Sequence, residues 1–123
     1  MAIYQINILT SAAGAFSQTF APKHGKFMQY RYVPDGTSPL DTGADLDIVG
    51  AQSAFVYANQ DNIGTSAFQK LPRYATHDET GAASLYAAGG EPVEGLMAVA
   101  EPITVTIANG GNALKGVLYI WIE

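Results

Sequence analysis

Residues 103–123 read ITVTIANGGNALKGVLYIWIE, and this stretch decides the fold. Its first part, Ile103 to Ala108, alternates apolar and hydroxylated side chains, as a half-buried β-strand does. The turn residues Asn109 to Asn112 follow, and Val117 to Ile122 is then apolar on both faces. This order predicts a β-hairpin whose last strand is central in its sheet and sandwiched between two layers.

The remainder of the chain has the same character, with short alternating segments separated by glycine and proline. Strands are predicted at 3–9, 16–21, 27–33, 45–49, 54–58, 66–71 and 96–99. Helical periodicity is nearly absent. The sequence therefore predicts one domain over residues 1–123 that is all-β: an antiparallel β-sandwich, jelly-roll-like, with seven to nine short strands and little helix.

The amino-acid composition limits the kinds of partner and cellular compartment that are expected for this protein. Charged residues make up 14% of the chain, against about 25% in a typical soluble domain, so uncharged polar groups must cover much of the surface. The net charge is −5 and no basic run occurs, which argues against nucleic acid as a partner. The chain has no cysteine, which excludes disulfides and favours folding in a reducing cytoplasm. We expect no signal peptide and no transmembrane segment, because the first residues lack Lys and Arg and include Gln5 and Asn7.

Three groups of polar residues contain the residue types of a metal-binding or catalytic site, but they lack the sequence spacing that such sites require. They are His24 with His77-Asp78-Glu79 for a metal, Asp35, Asp41, Asp45 and Asp47 for calcium, and Glu91, Glu94 and Glu101 for a glycosidase pair. The histidines lack the spacing of zinc ligands, and the aspartates lack the calcium-loop pattern and are expected to cap backbone. The glutamates are expected to be surface carboxylates. We therefore expect no enzyme activity and no catalytic, cofactor-binding or metal-binding residue.

Aromatic residues offer a different hypothesis, a sugar-binding face. The candidates are Tyr30, Tyr32, Tyr57, Tyr74, Tyr86, Tyr119 and Trp121. Tyr30 and Tyr32 are expected to share a strand face with Met28, and Trp121 lies in the strand that is apolar on both faces. Aromatic stripes on strands more often belong to a core, so the core is the expected place for these side chains.

Three turn-rich segments, in the order in which they follow one another along the chain, resemble those of a known group of proteins. They are residues 27–46, containing Pro34-Asp35-Gly36 and Asp41-Thr42-Gly43-Ala44-Asp45-Leu46; residues 75–90, from Ala75-Thr76-His77-Asp78 to Ala87-Ala88-Gly89-Gly90; and residues 104–112 before the last apolar strand. This order resembles a group of small virion proteins of tailed bacteriophages, encoded beside the major capsid protein and described as head decoration or cement-like proteins. The likeness spans residues 3–123. In that pattern Gln more often precedes the Gly-Gly pair, where this chain has Asn109.

The resemblance implies a capsid decoration protein that binds the outer surface of the major capsid protein shell and stabilises the head. It implies a homo-oligomer, a trimer or dimer, placed on the capsid exterior after assembly in the host cytoplasm, with no nucleic acid or membrane partner and no cofactor. Capsid or subunit contacts are expected from the polar loops 34–44 and 73–94. The predicted contact residues are Asp35, Thr37, Asp41, Arg73, Tyr74, His77 and Tyr86, chosen because Arg and Tyr dominate interfaces.

Two other classes remain open at this point. The first is a phage tail or fibre component, or another β-sandwich module, that binds glycans through exposed tyrosines. The second is a hydrolase that uses Asp or Glu from the loop between residues 73 and 94.

Overall fold

The computed structural model describes residues 1–75, 80, 82, 85 and 94–123. These residues form eleven β-strands and no helix. The strands are β1 Ala2–Leu9, β2 Phe16–Phe20, β3 Gly25–Pro34, β4 Asp45–Gly50, β5 Val56–Gln60, β6 Phe68–Lys70, β7 Tyr74–Ala75, β8 Glu94–Gly95, β9 Met97–Val99, β10 Ile103–Ala108 and β11 Lys115–Ile122. The described part thus contains no helix of the length and apolarity that crossing a bilayer requires. The prediction of an all-β fold is confirmed.

The strands form two main antiparallel sheets. The five-stranded sheet has the order β1-β11-β3-β6, with β9 also paired to β3, and the four-stranded sheet has the order β2-β10-β4-β5. Strands β7 and β8 form a separate small pair. Consecutive strands mostly alternate between the two main sheets, in agreement with the predicted sandwich.

The core lies between the two sheets and is filled by alternate residues of each strand. Leu46 and Ile48 of β4 are fully buried, while Asp45 and Asp47, which alternate with them, are only partly buried. Tyr30 and Tyr32 of β3 are also fully buried, which confirms the expectation that these aromatic residues belong to the core. Each large apolar side chain buried in this way contributes roughly 1.5–3 kcal/mol to folding.

The predicted hairpin between the last two long strands is wrong. Strand β10 lies in the four-stranded sheet and β11 in the five-stranded sheet, so the chain crosses from one sheet to the other between them. The crossing is held by other loops: the Gly110 amide donates to the Gly14 carbonyl at 2.8 Å, and the Gly110 carbonyl accepts from the Asp41 amide at 3.0 Å. Gly111 has a φ of +88°, a conformation that favours glycine. The glycine pair therefore does mark a turn, but this turn connects the two sheets and not two strands of one hairpin.

Strand β11 is central, as predicted, because it pairs with β1 on one side and β3 on the other. The expectation that it is sandwiched is wrong. Leu118, Ile120 and Ile122 are buried in the core, whereas Val117, Tyr119 and Trp121 on the opposite face are only half-buried. No second layer of described residues covers that face.

Two local predictions also fail at irregularities of the backbone. A register shift in β3 pairs Trp121 with Gln29 but Ile122 with Phe27, so Met28 is the extra residue. This β-bulge places Phe27, not Met28, on the buried face with Tyr30. The strand predicted at 54–58 begins instead at Val56, because residues 50–55 form a tight turn in which the Gly50 amide donates to the Phe55 carbonyl at 2.8 Å.

The buried tyrosines of β3 provide a matched pair of substitutions. The Tyr32 hydroxyl donates to the Gly64 carbonyl at 3.0 Å, whereas the buried Tyr30 hydroxyl makes no hydrogen bond of good geometry with the described residues. Burial raises the pKa of each to about 12. We expect Tyr32→Phe to lower the free energy of unfolding by about 1–2 kcal/mol, because it leaves a buried carbonyl unpaired. Tyr30→Phe should be neutral or stabilising, and urea unfolding of both variants tests the difference.

Candidate interaction surface

Two of the predicted contact residues, Asp35 and Thr37, form a self-contained turn after β3. The Asp35 carboxylate oxygen Oδ2 accepts hydrogen bonds from the Ser38 amide at 2.8 Å, the Thr37 amide at 3.1 Å and the Thr37 hydroxyl at 3.0 Å. These bonds, the one from the Ser38 amide above all, hold the pKa of the Asp35 carboxyl below its usual value. The Asp35 side chain therefore shapes the turn, as the backbone-capping interpretation expects.

Asp41 lies where three loops meet at one end of the sandwich. Its amide donates to the Gly110 carbonyl at 3.0 Å, and its own carbonyl accepts from the Ala44 amide at 3.0 Å. The neighbouring Asp45 carboxylate accepts from the Asn62 amide at 3.2 Å and from the Asn109 side chain at 3.0 Å. These aspartates therefore bind and order the loops. In the described part of the chain, no three His, Asp or Glu side chains converge as metal ligands would.

Arg73 and Tyr74 lie far from this end. Arg73 donates from Nη1 to the Met28 carbonyl at 3.0 Å and to the Pro72 carbonyl at 2.8 Å. Met28 and Asp35 are separated by most of β3, which is about 20 Å of extended chain. His77 and Tyr86 lie outside the described residues. The structure thus brings Asp35 and Thr37 together but not the predicted contact residues as one patch, and their contact with a partner stays a prediction.

The outward side of the five-stranded sheet is a surface that the predictions did not single out. Across it, Ile3 of β1 pairs with Trp121 of β11, and Val117 of β11 pairs with Val33 of β3. The rings of Tyr119 and Trp121 lie side by side with centroids 6.2 Å apart. We call this surface the outer apolar face after its apolar members, which are Ile3, Leu9, Val33, Val117, Tyr119 and Trp121. The polar side chains of Gln5, Asn7, Gln29, Arg31 and Lys115 lie among them on the same face.

The outer apolar face is accessible. Ile3 and Leu9 on β1 expose 59% and 56% of their surface, and the four members on β3 and β11 are half-buried. Contiguous apolar patches on a folded domain mark places where another molecule binds. The sequence contains a sign of this surface, because β11 is apolar on both faces. That pattern, however, predicts that a second layer of the same chain covers the outer side of β11.

The outward side of the four-stranded sheet is different in character. The hydroxyls of Thr19 and Thr104 lie 2.8 Å apart across paired strands, and the Asn59 amide donates to the Asp47 carboxylate at 2.6 Å. Such a face satisfies its polar groups within the sheet and is suited to contact with water. The outward face of the five-stranded sheet carries polar pairs too, such as Gln5 with Asn7, but it adds the large apolar side chains of the outer apolar face, which is therefore the candidate interaction surface.

A second candidate is an aromatic groove of about 500 Å³ beside β5 and β9. Its lining includes Phe55, Tyr57, Tyr74 and Glu101. The Phe55 ring contacts both tyrosines, at centroid distances of 5.1 and 5.2 Å, and Tyr74 exposes 52% of its surface. A groove with aromatic walls and a carboxylate at one end has the composition of a small ligand-binding site.

Glu101 in this groove fixes the turn that follows β4. Its oxygen Oε1 accepts from the Ser53 amide and the Ser53 hydroxyl, both at 3.0 Å, and from the Gln52 amide at 3.1 Å. These hydrogen bonds, led by the one from the Ser53 amide, lower the pKa of the Glu101 carboxyl. Of the three glutamates considered for a glycosidase pair, Glu94 lies exposed in β8 and Glu91 lies outside the described residues.

The lowered pKa of Glu101 gives a prediction for acid. Because its pKa is lower in the folded protein than its usual value of 4.5, its contribution to stability is present above that value and is lost as the pH falls through the folded-state pKa. We expect Glu101→Gln to unfold more easily than wild type at pH 7, with the difference shrinking as the solution is acidified below pH 4.5. Thermal unfolding over a pH series measures this, and a difference that grows in acid would contradict it.

Comparison with known proteins adds no relative. No family model matches the chain, and no curated protein matches it either.

Proposed function

We propose that this protein is a bacteriophage capsid decoration (cement) protein, which binds the outer surface of the major capsid protein shell and stabilises the head. The observation that carries the proposal is the outer apolar face, with Tyr119 and Trp121 at its centre. The domain has a complete core of its own between the sheets, so this second apolar surface is not needed for folding. Aromatic residues in such a patch are typical of protein–protein contacts.

The size of this face supports a homo-oligomer on the shell. The three strands that carry it, spaced about 4.8 Å apart and about 26 Å long, give a face of roughly 370 Å². A stable protein–protein contact usually buries about 800 Å² on each partner. One copy alone therefore offers a modest contact, and linked copies bound at a symmetry axis of the shell would reinforce one another.

Binding to the assembled shell would stabilise it by mass action. A ligand that binds only the intact form adds about 2.7 kcal/mol when its free concentration is 100 times its dissociation constant. The structural demands on such a protein are a stable fold, a docking face rich in apolar side chains and ordered loops. The loops at Asp35 and Asp41 are ordered by hydrogen bonds of their own, in keeping with those demands.

The test uses purified phage shells with and without the protein. We expect decorated shells to survive heating or osmotic shock that breaks undecorated ones, as judged by particle counts in electron micrographs. Equal survival of the two preparations would sink the proposal. Electron microscopy of the decorated shells should also place the protein on the capsid exterior.

A matched pair of valines identifies the docking face. Val33 belongs to the outer apolar face on β3, and Val56 lies on the outward side of the four-stranded sheet with 50% of its surface exposed. We expect Val33→Glu to weaken binding to shells by at least about tenfold, since it places a charge in a desolvated contact. Val56→Glu should bind as wild type does. The reverse order would show that the polar side of the molecule faces the shell.

The aromatic groove favours a second candidate function, glycan binding by a tail or fibre component. Tyr74 and Phe55 present adjacent rings beside the Glu101 carboxylate, and sugars stack on such rings while hydroxyls bind carboxylates. Saturable binding to a glycan that is lost in Tyr74→Ala, together with localisation of the protein to tails by mass spectrometry, would favour this function over capsid decoration.

A further inference from the structure

Strand β1 forms an edge of the five-stranded sheet in the part of the chain that the structure describes. Among the described residues it pairs only with β11, in an unbroken register from Ala2 opposite Ile122 to Leu9 opposite Lys115. In an antiparallel ladder the amides and carbonyls of alternate residues point away from the paired strand. The eight residues of β1 therefore present a row of backbone groups about 27 Å long to whatever lies beside them.

This edge lacks the features by which proteins usually prevent strand pairing. Ala2–Leu9 contains no charged residue and no proline, and its register with β11 has no bulge. The opposite edge of the sheet consists of β6 and β9, which have three residues each. Long, regular and uncharged edges pair readily with another strand, whereas short ones do not.

The side chains of β1 are complementary to a second copy of the same strand. The exposed ones are Ile3, Gln5, Asn7 and Leu9 in that order: apolar, amide, amide, apolar. In an antiparallel pair centred on Ile6, Ile3 lies opposite Leu9 of the partner subunit and Gln5 lies opposite Asn7 of the partner subunit. Apolar groups thus meet apolar groups, and amides that can both donate and accept meet each other.

Other registers lose this match. A shift of two residues places Ile3 opposite an amide and leaves Leu9 without a partner. A shift of one residue pairs the outward side of one strand with the core side of the other. The alternation of β1 therefore favours a single antiparallel register with a two-fold axis at Ile6.

We propose that β1 pairs with β1 of a second copy in this register, so that two five-stranded sheets join edge to edge in a two-fold symmetric dimer. The pairing adds backbone hydrogen bonds on both sides of the axis, as in other cases of strand addition. It brings the two outer apolar faces side by side on one continuous sheet. The inference rests on β1 alone and does not depend on the proposed function.

The test measures the oligomeric state of the purified full-length protein by sedimentation equilibrium. Wild type should form dimers. Gln5→Lys with Asn7→Lys places like charges opposite each other at two symmetric positions and should raise the dimer dissociation constant by at least about tenfold. Gln5→Glu with Asn7→Lys places opposite charges there and should restore the dimer. Both residues are exposed, and circular dichroism checks that the fold is retained.

Cysteine cross-linking tests the register. The chain has no native cysteine, so Gln5→Cys and Asn7→Cys give single thiols. Under oxidation, a mixture of the two variants should form disulfide-linked dimers, whereas each variant alone should not, because its two thiols are too far apart across the axis. A monomeric wild type, a dimer that resists the two lysines, or cross-linking of either variant alone would overturn the proposal.

Discussion

Removal of Tyr119–Glu123 is expected to abolish folding, not merely to shorten the last strand. These residues include Ile120 and Ile122, which are almost completely buried, and they pair with β1 on one side and β3 on the other. Truncating one buried isoleucine to alanine costs about 2–5 kcal/mol, and a whole domain is stable by only about 5–15 kcal/mol. The loss of two such side chains, together with about half of each ladder, exceeds that margin.

The measurement is circular dichroism and thermal unfolding of the truncated chain beside wild type. Two isoleucine variants provide the control: Ile120→Ala should lower the free energy of unfolding by about 2–5 kcal/mol. Ile3→Ala, at an exposed position of the neighbouring strand, should change it by less than about 0.5 kcal/mol in a monomer. A truncated chain that unfolds cooperatively at the wild-type temperature would show that β11 is not central to the fold.

The second large effect is expected from Gly64→Ala. A methyl group at Gly64 would lie 2.5 Å from the Thr42 Cα and 2.8 Å from the Asp41 carbonyl carbon. Both obstacles are backbone atoms, which cannot rotate away as a side chain can. Because the Gly64 carbonyl also accepts the Tyr32 hydroxyl, any shift of the loop breaks a buried hydrogen bond as well. We expect a loss of about 3 kcal/mol.

Gly36→Ala is the matched control, because a methyl group there would meet no atom within 4 Å. It should be neutral or slightly stabilising, since alanine reduces the freedom of the unfolded chain. Urea unfolding of the two variants gives both values. If Gly64→Ala were as stable as Gly36→Ala, the loop that carries Asp41 would not pack against residues 61–64 as described.

The fold class follows from alternation along single strands, and the arrangement of strands does not. The alternation of apolar residues predicts the buried face of each of the last two long strands. These residues are Ile103, Val105 and Ile107 in β10 and Leu118, Ile120 and Ile122 in β11. Nothing in the spacing says that the two strands belong to opposite sheets. That choice depends on the Gly110 backbone binding Gly14 and Asp41, which are distant in sequence.

The sequence predicts the outer apolar face only in part. The apolar residues Val117, Tyr119 and Trp121 predict that a second layer covers the outer face of β11, whereas the described residues leave that face partly exposed. Polar residues in loops predict an interaction surface less well than the apolar residues of β11 do. Asp35 and Arg73 have the chemistry of contact residues, yet their side chains bind backbone groups of their own chain. The turn sequence predicts the capping role of Asp35, but no pattern predicts the bond from Arg73 to Met28, which is 45 residues away.

The pairing of β1 with β11 has a consequence for synthesis. Ala2 pairs with Ile122 and Leu9 with Lys115, so β1 lacks its neighbour in the sheet until more than a hundred further residues have been added. Contacts between such distant segments form slowly. Nascent chains must therefore carry an unpaired, uncharged strand throughout translation, and the five-stranded sheet can close only after residues 115–122 have left the ribosome.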